Sequence, residues 1–170
     1  MFLWVKKYNM LIIRQASLAE AEIIHHLAHQ IYFPTYRDIL SAEQMAFMLE
    51  KSYTVDALQE SMQTDQDFFL AFDEEIPVGF MSLKDKDEDI LRIEKLYLLP
   101  QTQGKGLGKE LISYAITKAK SKNKKRVQLN VNRGNKAYYF YLKMGFTVVD
   151  EVDIPYFGYV LDDYVMQITI

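Results

Sequence analysis

Apolar positions along the chain recur in two periods. Residues 11–14 (LIIR) are β-branched and bounded by polar positions, which predicts a first strand. Ser17 with Glu20 three places on is a capping-box pattern, and Ile23, Ile24, Leu27, Ala28 and Ile31 then recur at helical spacing, giving a helix with one apolar face that Pro34 is expected to end. Ser41 and Gln44 repeat the capping signature ahead of Met45, Met48 and Leu49, so a second helix follows. Thr54 can cap a third, carrying Val55, Leu58 and Met62.

After Gln63 the period shortens. Residues 67–72 and 77–83 are aromatic or apolar runs separated by the turn former DEE, which predicts an antiparallel hairpin. The run KDKDED over 84–89 is a solvated turn. A strand over 90–98 follows it. Leu107, Leu111, Ile112, Ala115, Ile116 and Ala119 mark an amphipathic helix over 107–122 whose last turns hold Lys118, Lys120 and Lys122, complementing the helix dipole. Residues 126–131 alternate as a strand, Asn132 or Asn135 can cap a short helix reaching Met144, and Gly145 can stop it in a left-handed conformation. Strand-like runs at 146–149 and 158–170 finish the chain. The order is α/β, with a mixed, mostly antiparallel central sheet flanked by helices and crossover helices toward the end. One domain over 1–170 is expected, with residues 1–9 either an extra arm or part of the first strand, since Met10 followed by LIIR can itself open the domain.

Composition narrows the chemistry. With 170 residues, 49% of them hydrophobic, the chain can bury a core without staples. There is no cysteine, which removes disulfides, thiolate metal sites and thiol catalysis. Twenty basic and 23 acidic residues leave a net charge of −3, no footprint for nucleic acid. The start lacks the order of a signal peptide, and no apolar run approaches the roughly 20 residues of a membrane span, so the expectation is a soluble, cytoplasmic protein with no membrane partner.

Two stretches carry candidate chemistry. Residues 93–109 (IEKLYLLPQTQGKGLGK) join an apolar strand to a helix through Gly104, Gly106 and Gly108 on alternate positions. Glycine there lets main-chain amides face a ligand at the positive end of a helix dipole, a ready anion site. Alone this is weak evidence, and a tight connection that binds nothing is the competing reading. A Walker-type loop is excluded because no G-K-[ST] follows at the needed distance. In residues 131–146 (VNRGNKAYYFYLKMGF), Ala137, Tyr138 and Tyr141 share a helix face, usually a core pattern, although a phenol there is also an acid at neutral pH.

Together, Q-G-K-G-L-G at 103–108 and N-x-x-N-K-A-x-x-F-Y-x-x-x-G-F at 132–146 resemble the two signature motifs of the GNAT superfamily of acyl-CoA-dependent N-acetyltransferases, with Gln103, Gly106 and Gly108 matching its Q/R-x-x-G-x-G/A. The likeness covers nearly all of the chain from Leu11. Residues 93–109 and IYFPTYRDIL after the first helix further resemble a bacterial branch that includes polyamine acetyltransferases. The resemblance implies acetyl-CoA as acyl donor and no metal. It implies that the main chain of Leu96, Tyr97 and Leu98 pairs with the pantetheine arm, and that Gln103, Gly104, Lys105, Gly106, Leu107, Gly108 and Lys109 cradle the pyrophosphate. Asn135 would bond the pantetheine amide region, Tyr138 would pack on the cofactor beside Ala137, and Tyr141 would be the general acid to the departing thiolate. Lys105, Lys136 and Lys143 add positive charge near the cofactor phosphates.

Amine acetylation also needs a base. Glu94 is the candidate, since alternation places it on the face of Leu96 and Leu98; its competing reading is an ion pair with Arg92 or Lys95. Asp38, Glu43 and Glu50 are candidates to recognise a cationic amine such as spermidine. The expected partner is a small-molecule amine, against a peptide or protein amine or a non-catalytic acyl-CoA-binding module. The strand edges of residues 158–170 offer pairing between chains, a homodimer. His25 and His29 lie four apart on the first helix, more often a polar face than a metal site.

Overall fold

The computed structural model describes residues 11–170; the expected N-terminal arm and the alternative opening at Met10 lie outside the described residues. Strands β1 (Leu11–Gln15), β2 (Asp67–Asp73), β3 (Ile76–Asp85), β4 (Ile90–Leu98), β5 (Arg126–Asn132), β6 (Thr147–Tyr156) and β7 (Tyr159–Thr169) form one sheet in the order β1-β2-β3-β4-β5-β7-β6. Neighbours are antiparallel except β4 and β5. That parallel pair requires a crossover, supplied by helix α4 (Leu107–Ser121).

Helix α1 (Ala21–Tyr36) follows a single 3-10 turn at Leu18–Glu20. The Ser17 N–H donates to Glu20 Oε1 at 3.0 Å, and Arg14 clamps the same carboxylate with bonds of 2.8 and 2.7 Å. That clamp, foremost, pulls the Glu20 carboxyl down to about 2. Pro34 does not end the helix: it sits inside the last turn, with α1 continuing to Tyr36. The proline can supply no amide to the Gln30 carbonyl, and Gln30 lies on the exposed side of the helix, where water can take that bond. Helices α2 (Ala42–Ser52) and α3 (Val55–Thr64) are capped as expected, Ser41 accepting from the Gln44 N–H at 3.1 Å and Thr54 from the Ala57 N–H at 3.2 Å.

Helix α1 covers the β3 and β4 part of one face through Ile24, Leu27 and Ile31, with α2 and α3 packed against α1 and Leu58 of α3 fully buried, while α4 packs Leu111, Ile112, Ala115 and Ala119 against β4 and β5 on the other. Burial of these side chains, at about 1.5–3 kcal/mol each, is what fixes both layers to the sheet. The charged run at 84–89 is more tightly tied than a free turn. Asp87 Oδ1 accepts the Asp89 and Ile90 N–H groups at 2.8 Å, and Asp85 and Asp89 pair with Lys122 and Lys125 beyond α4. It therefore anchors the start of β4 to the start of β5.

The C-terminal strand is not an edge. Strand β7 pairs with β6 from Tyr159 and with β5 from Asp163 to Thr169, so the outer edge of the sheet on this side belongs to β6, which extends to Tyr156. Residues 150–156 carry no clear alternation, and Pro155, tolerable only at an edge or bulge, is consistent with that position.

Candidate active site between the splayed strands

Strands β4 and β5 pair only from Ile90 with Arg126 to Ile93 with Leu129. Beyond that point β4 stays with β3 as far as Leu98, while β5 stays with β7 to Asn132, and the sheet opens between them. The opening starts at a bulge. Leu83 stands opposite Ile93 and Ser82 opposite Lys95, which leaves Glu94 as the extra residue of β4. A bulge bends its strand and sharpens the local twist, here turning β4 away from β5. Among the described residues, the main chain of Leu96, Tyr97 and Leu98 on the gap side thus has no strand partner and can receive a ligand arm as an added strand.

The bulge also corrects the placement of Glu94. Ile93 and Leu96 stand opposite Leu83 and Met81 on the α4 face, while Arg92 and Lys95 stand opposite Lys84 and Ser82 on the α1 face. Glu94 joins the latter set, not Leu96 and Leu98. Its Oε1 accepts from Arg92 Nε at 2.9 Å, and Lys95 turns to Gln66 Oε1 at 3.1 Å.

Beyond β4 the chain makes a 3-10 turn at Pro100–Thr102 and enters α4. Gly104 and Gly106 have φ of 81° and 82°, and a Cβ added to either would meet nothing within 4 Å. These two glycines serve conformation and open space, whereas Gly108 serves packing, its missing Cβ lying 3.0 Å from Phe140 Cζ. The first main-chain bond of α4 runs from Glu110 N–H to the Gly106 carbonyl, so the amides of Leu107, Gly108 and Lys109 point forward without a helical acceptor. Lys105 and Lys109 flank them, exposed. Gln103 instead reaches back, donating to the Leu98 carbonyl at 3.4 Å.

Across the gap, helix α5 (Ala137–Lys143) starts where Asn135 Oδ1 accepts the Ala137 N–H at 2.9 Å, leaving the Asn135 amide N–H groups as the part that can reach a ligand. Asn132 makes a second such turn to the Gly134 N–H at 2.8 Å. Tyr138 lies half-buried, its ring 5.1 Å from that of Tyr164, and Lys136 and Lys143 are exposed. Tyr141 is 8% exposed, its ring against Phe140 and Phe146, and burial pushes its phenol up from the ordinary tyrosine value.

Tyr97 belongs to a group of aromatic residues that sequence reasoning left mostly unassigned. Its hydroxyl lies 2.8 Å from that of Tyr36, and the rings of Tyr32, Tyr53 and Phe80 stand 6.4, 6.3 and 5.6 Å from it. Burial raises all four phenols, so they stay neutral. Asp163 on β7 also acts on Tyr97 and is itself raised, chiefly by burial. Above them α2 touches the β6–β7 turn, with Phe47 against Tyr156, Phe157 and Tyr159 and Lys51 Nζ 4.5 Å over the Phe157 ring. Asp38, Glu43 and Glu50 are all exposed on the helical segment. A separate groove of about 420 Å³ beside β6 contains Lys86 and Arg92, which suits it poorly to a cation. His25 and His29 bond the Tyr53 and His25 carbonyls through Nδ1.

An open strand edge that ends on a cradle of free amides suits a ligand with amides along its arm and phosphates at its end, which describes coenzyme A; this fold and gap define an acyl-CoA-dependent N-acetyltransferase. Residues 36–154 match the GNAT acetyltransferase domain, and the chain belongs to that family. It is 30% identical over 146 residues to a spermidine N(1)-acetyltransferase of Thermoplasma acidophilum, covering 81% of this chain and 89% of the relative. A peptidyl-lysine N-acetyltransferase, YjaB of Salmonella typhimurium, is 39% identical over 90 residues, 49% of this chain and 55% of the relative. Among solved structures, the PaiA N-acetyltransferase of Thermoplasma acidophilum in complex with coenzyme A superposes with a TM-score of 0.81 at 27% identity, covering 95% of this chain and 99% of that one.

Proposed function

We propose that the protein transfers the acetyl group of acetyl-CoA directly to the primary amine of a small cationic molecule of the polyamine class. The observation that carries this reading is the group of neutral phenols beside the gap, Tyr32, Tyr36, Tyr53 and Tyr97, whose π faces suit a cation. Likeness to a spermidine N(1)-acetyltransferase over most of both chains supports the same acceptor class. The peptidyl-lysine relative matches only half of this chain.

Acetyl-CoA, when bound, supplies an activated thioester. The main chain of Leu96, Tyr97 and Leu98 holds its pantetheine arm, the turn from Gln103 to Lys109 holds the pyrophosphate, Asn135 donates to the arm, and Ala137 and Tyr138 line its other side. Lys143 adds charge toward the phosphates. Tyr141 donates a proton to the departing sulfur. A chain without cysteine has no thiol with which to form an acyl-enzyme, which agrees with attack by the amine itself. Two carboxylates are candidates to take the proton the amine must lose, Glu94 on β4 and Asp163 on β7. Thiol release should be measured with acetyl-CoA against spermidine and a lysine-containing peptide. A kcat/KM for spermidine at least about tenfold above the peptide is expected. The opposite ranking would overturn the acceptor class.

A further inference from the structure

We propose that Asp163 is the carboxylate that holds the acceptor's ammonium group and takes its proton, an assignment that rests on the small-amine reading above. It places the proton acceptor on β7, opposite the strand that carries Glu94.

The two carboxylates differ in what already holds them. Glu94 is paired with Arg92 Nε at 2.9 Å, so its negative charge is answered within the chain. Among the described residues no lysine or arginine nitrogen forms an ion pair with Asp163. The guanidinium groups nearest in charge are committed elsewhere: Arg92 to Glu94, Gln128 and Asn130, and Arg133 to Asp153 and Glu151. The neighbouring Asp162 accepts from Asn132 Nδ2 at 2.9 Å. What Asp163 does have is a neutral aiming group. Asn130 Nδ2 donates to its Oδ2 at 3.3 Å, and Asn130 Oδ1 is fixed by Arg92 Nη2 at 3.0 Å.

Position completes the case. Asn132, three residues past the last β4–β5 pair at Leu129, stands opposite Asp163 in the register, so the carboxylate lies one strand over from the gap, on the face it shares with Asn130. Its charge bears on the Tyr97 phenol, whose hydroxyl lies 2.8 Å from that of Tyr36. A half-buried carboxylate with no cation of its own is destabilised unless a ligand supplies one. Burial, the foremost cause, raises its carboxyl and makes it the better proton acceptor.

The step balances as follows. An acceptor R–NH3+ gives one proton to Asp163; the freed lone pair forms the N–C bond to the acetyl carbon, and the C–S bond breaks. Tyr141 protonates the sulfur and regains a proton from the nitrogen. The products are a neutral amide, the free thiol and one proton, which Asp163 returns to water.

The test is Asp163→Asn, which keeps the shape and the Asn130 contact. With spermidine as acceptor, kcat/KM should fall about 100-fold or more, while acetyl-CoA affinity by calorimetry changes by less than about twofold. Because the folded carboxyl is raised, its ionisation opposes folding at neutral pH, so the variant should melt no lower than the wild type. Wild-type kcat/KM in the variant, or a loss accompanied by a lower melting temperature and weaker acetyl-CoA binding, would overturn the assignment. A wild type that turns over no spermidine would instead sink the acceptor reading and this assignment with it.

Discussion

Replacing Tyr141 by Phe removes one oxygen from the buried end of α5 and leaves the packing against Phe140 and Phe146 in place. An ordinary tyrosine titrates near 10 and an ordinary thiol near 8.5, so complete proton transfer from phenol to free thiolate is uphill by about 1.5 units, about 2 kcal/mol. Burial raises Tyr141 further and makes that transfer harder still. The phenol therefore works as the C–S bond breaks, with its own proton replaced from the attacking nitrogen, and is never left as a free phenolate. Losing a general acid of this kind costs about 10²–10⁴ in kcat, about 2.7–5.4 kcal/mol in the barrier. Acetyl-CoA KM should hold, because the lost interaction develops only as the bond breaks. The same burial predicts a wild-type kcat that does not decline on the alkaline side until above about pH 10. Thiol release as a function of pH, with a thermal melt of both proteins, checks all of this. A kcat within about threefold of wild type, or a loss seen only in KM, would refute the reasoning.

Gly106→Ala puts a side chain at φ 82° with nothing within 4 Å to clash, so its effect is conformational strain of about 1–2 kcal/mol at the entry to α4. Calorimetry should show weaker acetyl-CoA binding from the displaced amides, with a modest fall in melting temperature. The Glu20 carboxyl, held down to about 2 chiefly by the Arg14 bonds, contributes stability that is fully present above its unfolded value near 4.5 and is lost as pH falls toward 2. Glu20→Gln should remove that part of the acid sensitivity in urea melts between those limits, and an unchanged pH profile would show that the clamp is not its source.

Local features of the chain were the readily legible ones. Ser41 and Thr54 cap α2 and α3 through bonds three residues long, and the glycines at 104 and 106 take the positive φ that their spacing before a helix implied. What sequence reading missed depends on contacts between distant segments. The bulge at Glu94 exists only as a two-against-one count between Leu83 and Ile93 on one side and Ser82 and Lys95 on the other, so strict alternation put the side chain on the wrong face. Pro34 was read from its missing amide alone, yet the carbonyl it leaves free lies on the exposed side of α1. Tyr32 and Tyr36 lie four apart on one face of α1, but Tyr53 and Tyr97 come from distant segments that the fold brings to them, and no spacing rule relates those to the pair. Asp163 did leave a trace, since the pair DD interrupts an otherwise mostly apolar strand. That trace carried no meaning until β7 was seen between β5 and β6 with Asn132 opposite.

The central claim is that the gap between β4 and β5 holds the thioester while the tyrosine cluster beside it holds the amine, both at once. Initial velocities of thiol release with acetyl-CoA and spermidine varied together test it most directly. The account predicts double-reciprocal lines that intersect, as a ternary complex requires; parallel lines, the mark of an acetylated enzyme that has already released coenzyme A, would contradict it.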